Sequence, residues 1–110
     1  MPTVYVIAPS DHAEDIAHTL VEERLAACVN RVTCESVYRW DGEVFDESEV
    51  ILLAKTTAER YGELRKRIKE LHPYDVPCIE RFDEDDVLPA YAAWVEGATA
   101  DGGDEGDGGE

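Results

Sequence analysis

The chain of 110 residues is long enough for one domain, and its 44% hydrophobic content suffices for a core of ordinary size. It carries 26 acidic residues against 10 basic ones, which gives a formal net charge of −16. A field of that sign repels phosphate backbones and anionic lipid surfaces, so the composition argues against nucleic-acid and membrane partners and favours cations.

The first elements predicted along the chain are a strand and a helix. Residues 3–9, TVYVIAP, form a β-branched and aromatic run that is typical of a buried strand. Ser10 or Asp11 is expected to cap a helix, because both side chains can accept a hydrogen bond from the free N–H groups of its first turn. Apolar residues at helical spacing predict that this helix ends near residues 25–27.

The next segment predicts a long β-hairpin. From Cys28 to Trp40 the apolar period changes to two, and Asp41-Gly42 is a tight-turn signal because both residue types tolerate positive φ. The returning strand is expected over residues 44–56. Its unbroken apolar run, residues 50–54, indicates a strand that is covered on both faces. Helices can cover one face, and a second subunit is the expected cover of the other.

The second half of the chain predicts a helix, a strand and a short helix. Thr56 or Thr57 is expected to open the helix, and His72 ends it because the residue before a proline avoids helical backbone. VPCIERF, residues 76–82, is the last predicted strand. LPAYAAWVEG, residues 88–97, keeps the spacing of a helix.

The order of the core elements, β-α-β-β-α-β, predicts the α+β class and the ferredoxin-like sandwich, followed here by a short C-terminal helix. We expect the folded domain to occupy residues 1–96. Residues 97–110 contain five acids, no bases and many glycines, a composition that cannot bury a core and predicts a disordered tail.

The segment LHPYDVPCIE, residues 71–80, carries the candidate metal ligands. His72, Asp75, Cys78 and Glu80 offer nitrogen, oxygen and sulfur donors, a set that suits zinc or copper. The alternative is structural: His72 caps the preceding helix, Asp75 organises a turn and Cys78 packs in the core. The residues alone leave both interpretations open.

The cysteines indicate the compartment. Cys28, Cys34 and Cys78 are odd in number and form no C-x-x-C pair, and the chain shows no apolar signal segment. These features predict reduced thiols and a cytoplasmic protein.

An enzymatic function has little support in the sequence. It contains neither the phosphate-binding motif G-x-x-x-x-G-K-[ST] nor the nucleophile motif G-x-S-x-G. Tyr38, Trp40, Tyr91 and Trp94 could line a ligand groove, or they could fill the core and subunit contacts. We therefore predict a protein that is not an enzyme.

Five stretches resemble, in this order, the CutA family of divalent-cation tolerance proteins. They are RLAACVN (24–30), SVYRWDG (36–42), ESEVILLAKT (47–56), LHPYDVP (71–77) and YAAWV (91–95). The resemblance covers residues 3–96 and implies a cytoplasmic homotrimer of ferredoxin-like subunits, similar in architecture to the PII signalling proteins. A trimer would supply the second cover of the apolar strand.

The resemblance also bears on the metal. Family members that bind copper are associated with histidines just before Pro-Tyr, so His72 is the position it supports. Glu usually follows the second proline, where this chain has Cys78, a soft ligand if exposed and an inert filler if buried. The predicted metal ligands are His72, Cys78 and Asp75, for copper or zinc. The two functional hypotheses are divalent-metal tolerance, and a PII-like module that binds a small ligand or a protein between subunits.

The charge has two interpretations of its own. Acidic residues occur in nearly every segment predicted to be exposed, and only Lys55, Lys66 and Lys69 among the basic residues are lysines. This pattern favours adaptation to concentrated salt over a surface dedicated to metal handling.

Removing molar salt is expected to unfold the protein, because mutual repulsion of the acidic side chains is no longer screened. Titration of NaCl or KCl, followed by circular dichroism, measures the transition. A fold that is indifferent to the removal of salt contradicts salt adaptation.

Overall fold

The computed structural model describes residues 1–100, which contain four strands and three helices. These are β1 (Pro2–Pro9), α1 (Ser10–Glu22), β2 (Cys28–Trp40), β3 (Glu43–Lys55), α2 (Tyr61–Leu71), β4 (Ile79–Asp83) and α3 (Pro89–Ala98). The predicted β-α-β-β-α-β order, with an added C-terminal helix, is confirmed, and so are the α+β class and the ferredoxin-like fold. Within the described residues, no helix has the length and apolar character needed to span a bilayer.

The strands form one antiparallel sheet in the order β2-β3-β1-β4. β1 lies inside the sheet and pairs with β3 on one side, where Val6 is opposite Leu52, and with β4 on the other, where Tyr5 is opposite Glu80. Its period-two pattern places buried and half-buried residues alternately on the two faces.

The hydrophobic core lies between the sheet and the first two helices. Val4, Val6 and Ala8 of β1 are fully buried on this side. Their partners are apolar residues at helical spacing on α1 and α2, which are also buried: Ile16, Leu20, Leu64 and Ile68. The free energy gained by burying these apolar side chains is the main contribution that holds α1 and α2 on the sheet.

The opposite face of the sheet, which we call the open face, is apolar but only half covered. The strand register aligns Ile7 of β1 with Ile51 of β3, and Ile51 with Val32 of β2. Ile7 and Ile51 are half-buried and Val32 is exposed. Within one chain, the helices therefore cover one face of the apolar run at residues 50–54, and the other face of this run remains partly open.

The β2–β3 hairpin extends beyond the rest of the sheet. Residue Glu49 is the last of β3 to pair with β1, so residues 43–48 pair with β2 alone. At its tip Asp41 (φ 52°) and Gly42 (φ 81°) both have positive φ, as the predicted tight turn requires. The molecule measures 47 × 27 × 22 Å along its principal axes.

Helix α1 is shorter than predicted. It ends at Glu22 rather than near residues 25–27, because Arg24 adopts left-handed backbone (φ 61°). The amides of Leu25 and Ala26 both donate to the Leu20 carbonyl at 2.9 and 3.1 Å, which satisfies the end of the helix and turns the chain into β2.

Helix α2 begins later than predicted, at Tyr61. Thr56 does not cap it: its side chain is buried, and Oγ1 donates to the Leu25 carbonyl at 2.7 Å. Thr57 Oγ1 accepts a hydrogen bond from the Arg60 amide at 3.2 Å, which closes a turn ahead of the helix. β4 is also shorter than predicted, since the turn after α2 continues to Cys78.

Ordered structure continues past the predicted boundary at residue 96. Helix α3 runs to Ala98, and the buried Thr99 donates from Oγ1 to the Val95 carbonyl at 2.9 Å. Arg60 fixes the same segment by donating from Nε to the Thr99 carbonyl at 2.8 Å. The rest of the predicted tail, residues 101–110, lies outside the described residues.

Gly42→Ala is expected to lower the free energy of unfolding by about 1 kcal/mol, because an L side chain resists the left-handed backbone of the turn. Gly62→Ala is the matched control. A methyl group added at position 62, like one at position 42, has no neighbouring atom within 4 Å. The two positions differ in backbone, because Gly62 lies in helix α2. The control is expected to raise the free energy of unfolding by about 0.5–1 kcal/mol. Urea titrations at one protein and salt concentration measure both, and effects of equal sign contradict this explanation of the turn.

Candidate functional site: a cleft beside the hairpin arm

A cleft of about 620 Å³ lies where the hairpin arm, the open face and the turn after α2 meet. Three parts of the chain line it: the end of β1, the arm of β2 and β3, and the turn that leads into β4. The lining residues are Ile7, Ser36, Val37, Tyr38, Trp40, Phe45, Glu49, Tyr74, Asp75, Val76 and Cys78.

His72 fixes the turn, residues 72–78, to the sheet. The Tyr74 amide donates to Nδ1 of His72 at 3.2 Å, so Nδ1 is the acceptor and the imidazole carries its proton on Nε2. Nε2–H in turn donates to the Ile7 carbonyl of β1 at 2.7 Å. His72 is only 6% exposed, and both ring nitrogens are used inside the protein.

Tyr74 connects this turn to the hairpin. Its hydroxyl donates to Oε2 of Glu49 at 2.7 Å, across 25 residues of sequence, and its ring lies 4.8 Å from that of His72. Glu49 is 4% exposed although it is a charged residue on the open face. Burial, and then the hydrogen bond to Glu49, raise the pKa of Tyr74 well above that of a free tyrosine.

The arm supplies an aromatic wall. Tyr38 of β2 and Phe45 of β3 are directly paired in the ladder, and their rings stack with centroids 5.5 Å apart. Trp40, nearer the tip, is 50% exposed. Burial raises the pKa of Tyr38, and a hydrogen bond with Glu47 raises it further. Four aromatic residues were expected either to line a groove or to fill the core and subunit contacts. Tyr38 and Trp40 line the cleft, whereas Tyr91 and Trp94 lie on α3.

Asp75 and Cys78, two of the predicted metal ligands, also line the cleft. Asp75 is exposed, whereas Cys78 is half-buried and is a free thiol, as are Cys28 and Cys34. Burial raises the pKa of the Cys78 thiol, and the nearby charge of Glu80 raises it further. The protonated thiol is therefore favoured over the thiolate that binds metals.

The three predicted ligands do not converge on one point. Within residues 1–100, no three His, Cys, Asp or Glu side chains are grouped so that they could hold one metal ion. His72 does not line the cleft, and a metal could bind it only by displacing the Tyr74 amide or the Ile7 carbonyl. The ligand set of His72, Cys78 and Asp75 stays a prediction, and it requires the turn to rearrange.

The sequence did not indicate the pair of Glu49 and Tyr74. In the sequence, Glu49 is the last polar residue before the apolar run of residues 50–54. Tyr74 lies in a segment predicted to be a turn. Only the strand register, which places Glu49 opposite Pro9, brings β3 next to this turn. Asp46 and Glu47 precede Glu49 in the same strand, so no local signal distinguished the carboxylate that becomes buried.

Tyr74→Phe is expected to lower the free energy of unfolding by about 1–3 kcal/mol at neutral pH, because the buried Glu49 carboxylate loses a hydrogen bond. The folded protein also holds the Tyr74 proton more tightly than the unfolded chain, whose tyrosines titrate near pKa 10.0. This contribution to stability is complete below pH 10 and is lost as the pH rises above it. The wild type should therefore lose stability above pH 10 more steeply than the variant.

Tyr61→Phe is the matched control for this experiment. The Tyr61 ring contacts Arg65 and Arg81, but its hydroxyl has no hydrogen-bond partner among residues 1–100. Urea titrations across the alkaline range should show the wild-type slope for this control. If Tyr74→Phe keeps that slope too, Tyr74 is not the residue that titrates with unfolding.

Known proteins resemble the chain over nearly its whole folded part. Residues 3–98 match the family described as CutA1 divalent ion tolerance protein. The divalent-cation tolerance protein CutA of Pyrococcus horikoshii is 44% identical over 96 residues, which are 86% of this chain and 94% of the relative.

Solved structures agree with the sequence match. The PII-like protein CutA of Nostoc in its apo form has a TM-score of 0.87 and 40% identity, covering 90% of this chain and 97% of that one. The periplasmic divalent cation tolerance protein CutA of Archaeoglobus fulgidus has a TM-score of 0.85 and 34% identity, covering 90% and 99%. The family match and the shared fold establish that this chain belongs to the CutA family of divalent-cation tolerance proteins.

Proposed function

We propose that the protein is a non-enzymatic divalent-metal tolerance protein, copper-type in its metal preference, that acts as a homotrimer in the cytoplasm. The observation that carries the assembly is the open face, where Ile51 and Leu53 of the central strand β3 are only half-buried in one chain. The relatives named for divalent-cation tolerance support the metal. The relative from Archaeoglobus fulgidus is named as periplasmic, so localisation of this protein in cells is the direct test of the proposed cytoplasmic compartment.

The open face favours contact with further copies of the chain. Tyr5 and Phe82 meet edge to face across β1 and β4, with centroids 6.0 Å apart, and Phe82 remains 51% exposed. β2 is an edge strand of 13 residues, so one row of its backbone N–H and C=O groups has no ladder partner among residues 1–100. Apolar surface and a free strand edge are both satisfied when another subunit packs against them.

The acidic surface favours metal capture before any defined site is reached. A net charge of −16 raises the local concentration of divalent cations around the protein. Asp75 and Cys78 are the predicted ligands that line the cleft, and His72 is adjacent to them in the same turn. We propose that copper or zinc binds these three residues after the turn releases one of the two hydrogen bonds of His72.

A PII-like regulatory module is the second candidate function. A cleft of about 620 Å³ is within the range of small-molecule sites, and the Nostoc relative is named as PII-like. In this alternative the cleft binds a small ligand between subunits, and metal affinity is incidental to the acidic surface.

Calorimetric titration with Cu²⁺ and Zn²⁺ tests the metal proposal. The wild type is expected to bind at a defined stoichiometry, and the double variant His72→Ala with Cys78→Ala should lose that site. Cys34→Ala is the control, since Cys34 is also a half-buried free thiol but does not line the cleft. Affinity no greater than that of a scrambled acidic control peptide, or an unchanged double variant, contradicts the site.

Light scattering tests the assembly independently of the metal. A trimer is expected at three times the 12.3 kDa of one chain. A monomer at the same salt and protein concentration contradicts the homotrimer, and with it the PII-like alternative, whose ligand binds between subunits.

A further inference from the structure

We infer that the acidic C-terminal segment, residues 101–110, docks on the exposed basic side of helix α2 of the same chain. The inference goes beyond metal tolerance and the regulatory alternative, and it depends on neither. Helix α2 packs on the core side of the sheet, whereas the proposed subunit contacts use the open face on the other side. Docking on α2 and assembly through the open face are therefore compatible.

Helix α2 and the residue before it hold half of the basic side chains of the protein. Residues 60–71 carry five basic and two acidic side chains, whereas the rest of the chain carries five and 24. This helix is therefore a locally basic segment of a strongly acidic chain. Its charge complements a segment that contains acids and no bases.

Three basic residues of α2 have no carboxylate partner within the described part of the chain. Arg65, Lys66 and Lys69 are exposed and lie on one side of the helix, at spacings of three and four residues. Arg67, by contrast, lies toward the end of α1 and pairs with Glu23 at 2.9 Å. Like charges at these spacings repel one another, so a negative partner would stabilise the three unpaired cations.

The start of the acidic segment lies beside the N-terminal end of α2. Arg60, the residue before the helix, donates from Nε to the Thr99 carbonyl at 2.8 Å, and Arg24 donates from Nη1 to the Ala98 carbonyl at 3.2 Å. The chain that leads into the segment is thus attached to the beginning of α2. Such attachment gives a short segment an effective concentration on the order of millimolar at its docking surface. An acidic segment of another molecule lacks this advantage.

The length of the segment is sufficient to follow the basic side of the helix. Lys69 lies nine residues beyond Arg60, which is about 14 Å along a helix. Ten residues of extended chain span up to about 33 Å. The carboxylates are distributed over the whole segment, at Asp101, Asp104, Glu105, Asp107 and Glu110.

The contact is electrostatic and therefore depends on salt. The screening length falls from about 10 Å at 0.1 M salt to about 3 Å at 1 M. Docking needs no fixed fold of the segment, because any of its five carboxylates can pair with any of the three cations. We expect the docked fraction to decrease as the KCl concentration rises.

Zero-length cross-linking with a carbodiimide tests the contact in the full wild-type chain, at the lowest KCl concentration where circular dichroism shows the native fold. The reagent joins a carboxylate to a lysine amine where the two groups touch, and mass spectrometry identifies the joined peptides. Residues 101–110 are expected to cross-link to Lys66 and Lys69. Lys55, whose amine donates to Asn30 at 3.1 Å, is the internal control and should not react with them. Addition of 1 M KCl should lower the yield at least about threefold.

Isotope mixing distinguishes the same chain from a second copy. Unlabelled chains and ¹⁵N-labelled chains are unfolded and refolded together before the cross-linking. Cross-links that join peptides of one isotope only are expected. Links between labelled and unlabelled peptides would show that the segment docks on another copy, which would overturn the assignment to the same chain.

NMR of two variant pairs gives an independent measurement. Asp104→Asn with Glu105→Gln is expected to shift the backbone amide signals of residues 65–69. Asp85→Asn with Asp86→Asn is the matched control, because it also removes two adjacent acidic charges, at exposed positions outside the acidic segment. The shifts from the first pair should be at least about twofold larger.

Three results would overturn the inference. They are the absence of cross-links from residues 101–110 to Lys66 or Lys69, an equal yield at Lys55, and equal amide shifts from the two variant pairs. The cross-linking needs no variant, so it decides the question even if a substitution disturbs the fold.

Discussion

The unequal length of the strands is the constraint on which the rest of the structure depends. β2 and β3 have 13 residues each, whereas β1 has eight and β4 has five. Two helices can cover only the part of the hairpin that pairs with β1, so the remainder extends as an arm. The corner between this arm and the shorter strands is the cleft, and it is filled only in part by the turn after α2. The sheet order places β2 at an edge, and its 13 residues make that edge long.

Features encoded by local pattern could be predicted from the sequence. Asp41-Gly42 specifies its turn through backbone conformation alone, and the apolar spacing of α2 specifies which of its faces is buried. The element order then fixes the sheet topology, because crossover and hairpin connections leave few alternatives. Long-range contacts could not be predicted in this way. Thr56 is a residue type that often caps helices, but here its hydroxyl donates to the carbonyl of Leu25. Leu25 lies 31 residues earlier in the chain, so the local sequence does not indicate this hydrogen bond.

His72 illustrates why residue type alone did not settle the site. Imidazole suits a metal ligand and a structural link equally well, because both uses require a nitrogen lone pair and a defined tautomer. In this fold the Tyr74 amide donates a hydrogen bond to Nδ1, and Nε2–H donates one to the Ile7 carbonyl. A buried side chain with both nitrogens occupied holds the turn in place, so any metal it bound would compete with the fold. Structural and metal-binding roles of His72 are therefore alternatives and not additive.

Burial separates the charges that keep the protein in solution from those that shape the site. Acidic residues that hold water or counterions must be exposed, and most of the acids in this chain are. Glu49 is not: it is 4% exposed, and its Oε2 accepts a hydrogen bond from the Tyr74 hydroxyl. Burying a carboxylate is costly unless it is paired, and one tyrosine hydroxyl is a modest partner. Adaptation to salt can account for the net charge, but Glu49 requires an explanation in the cleft that it lines.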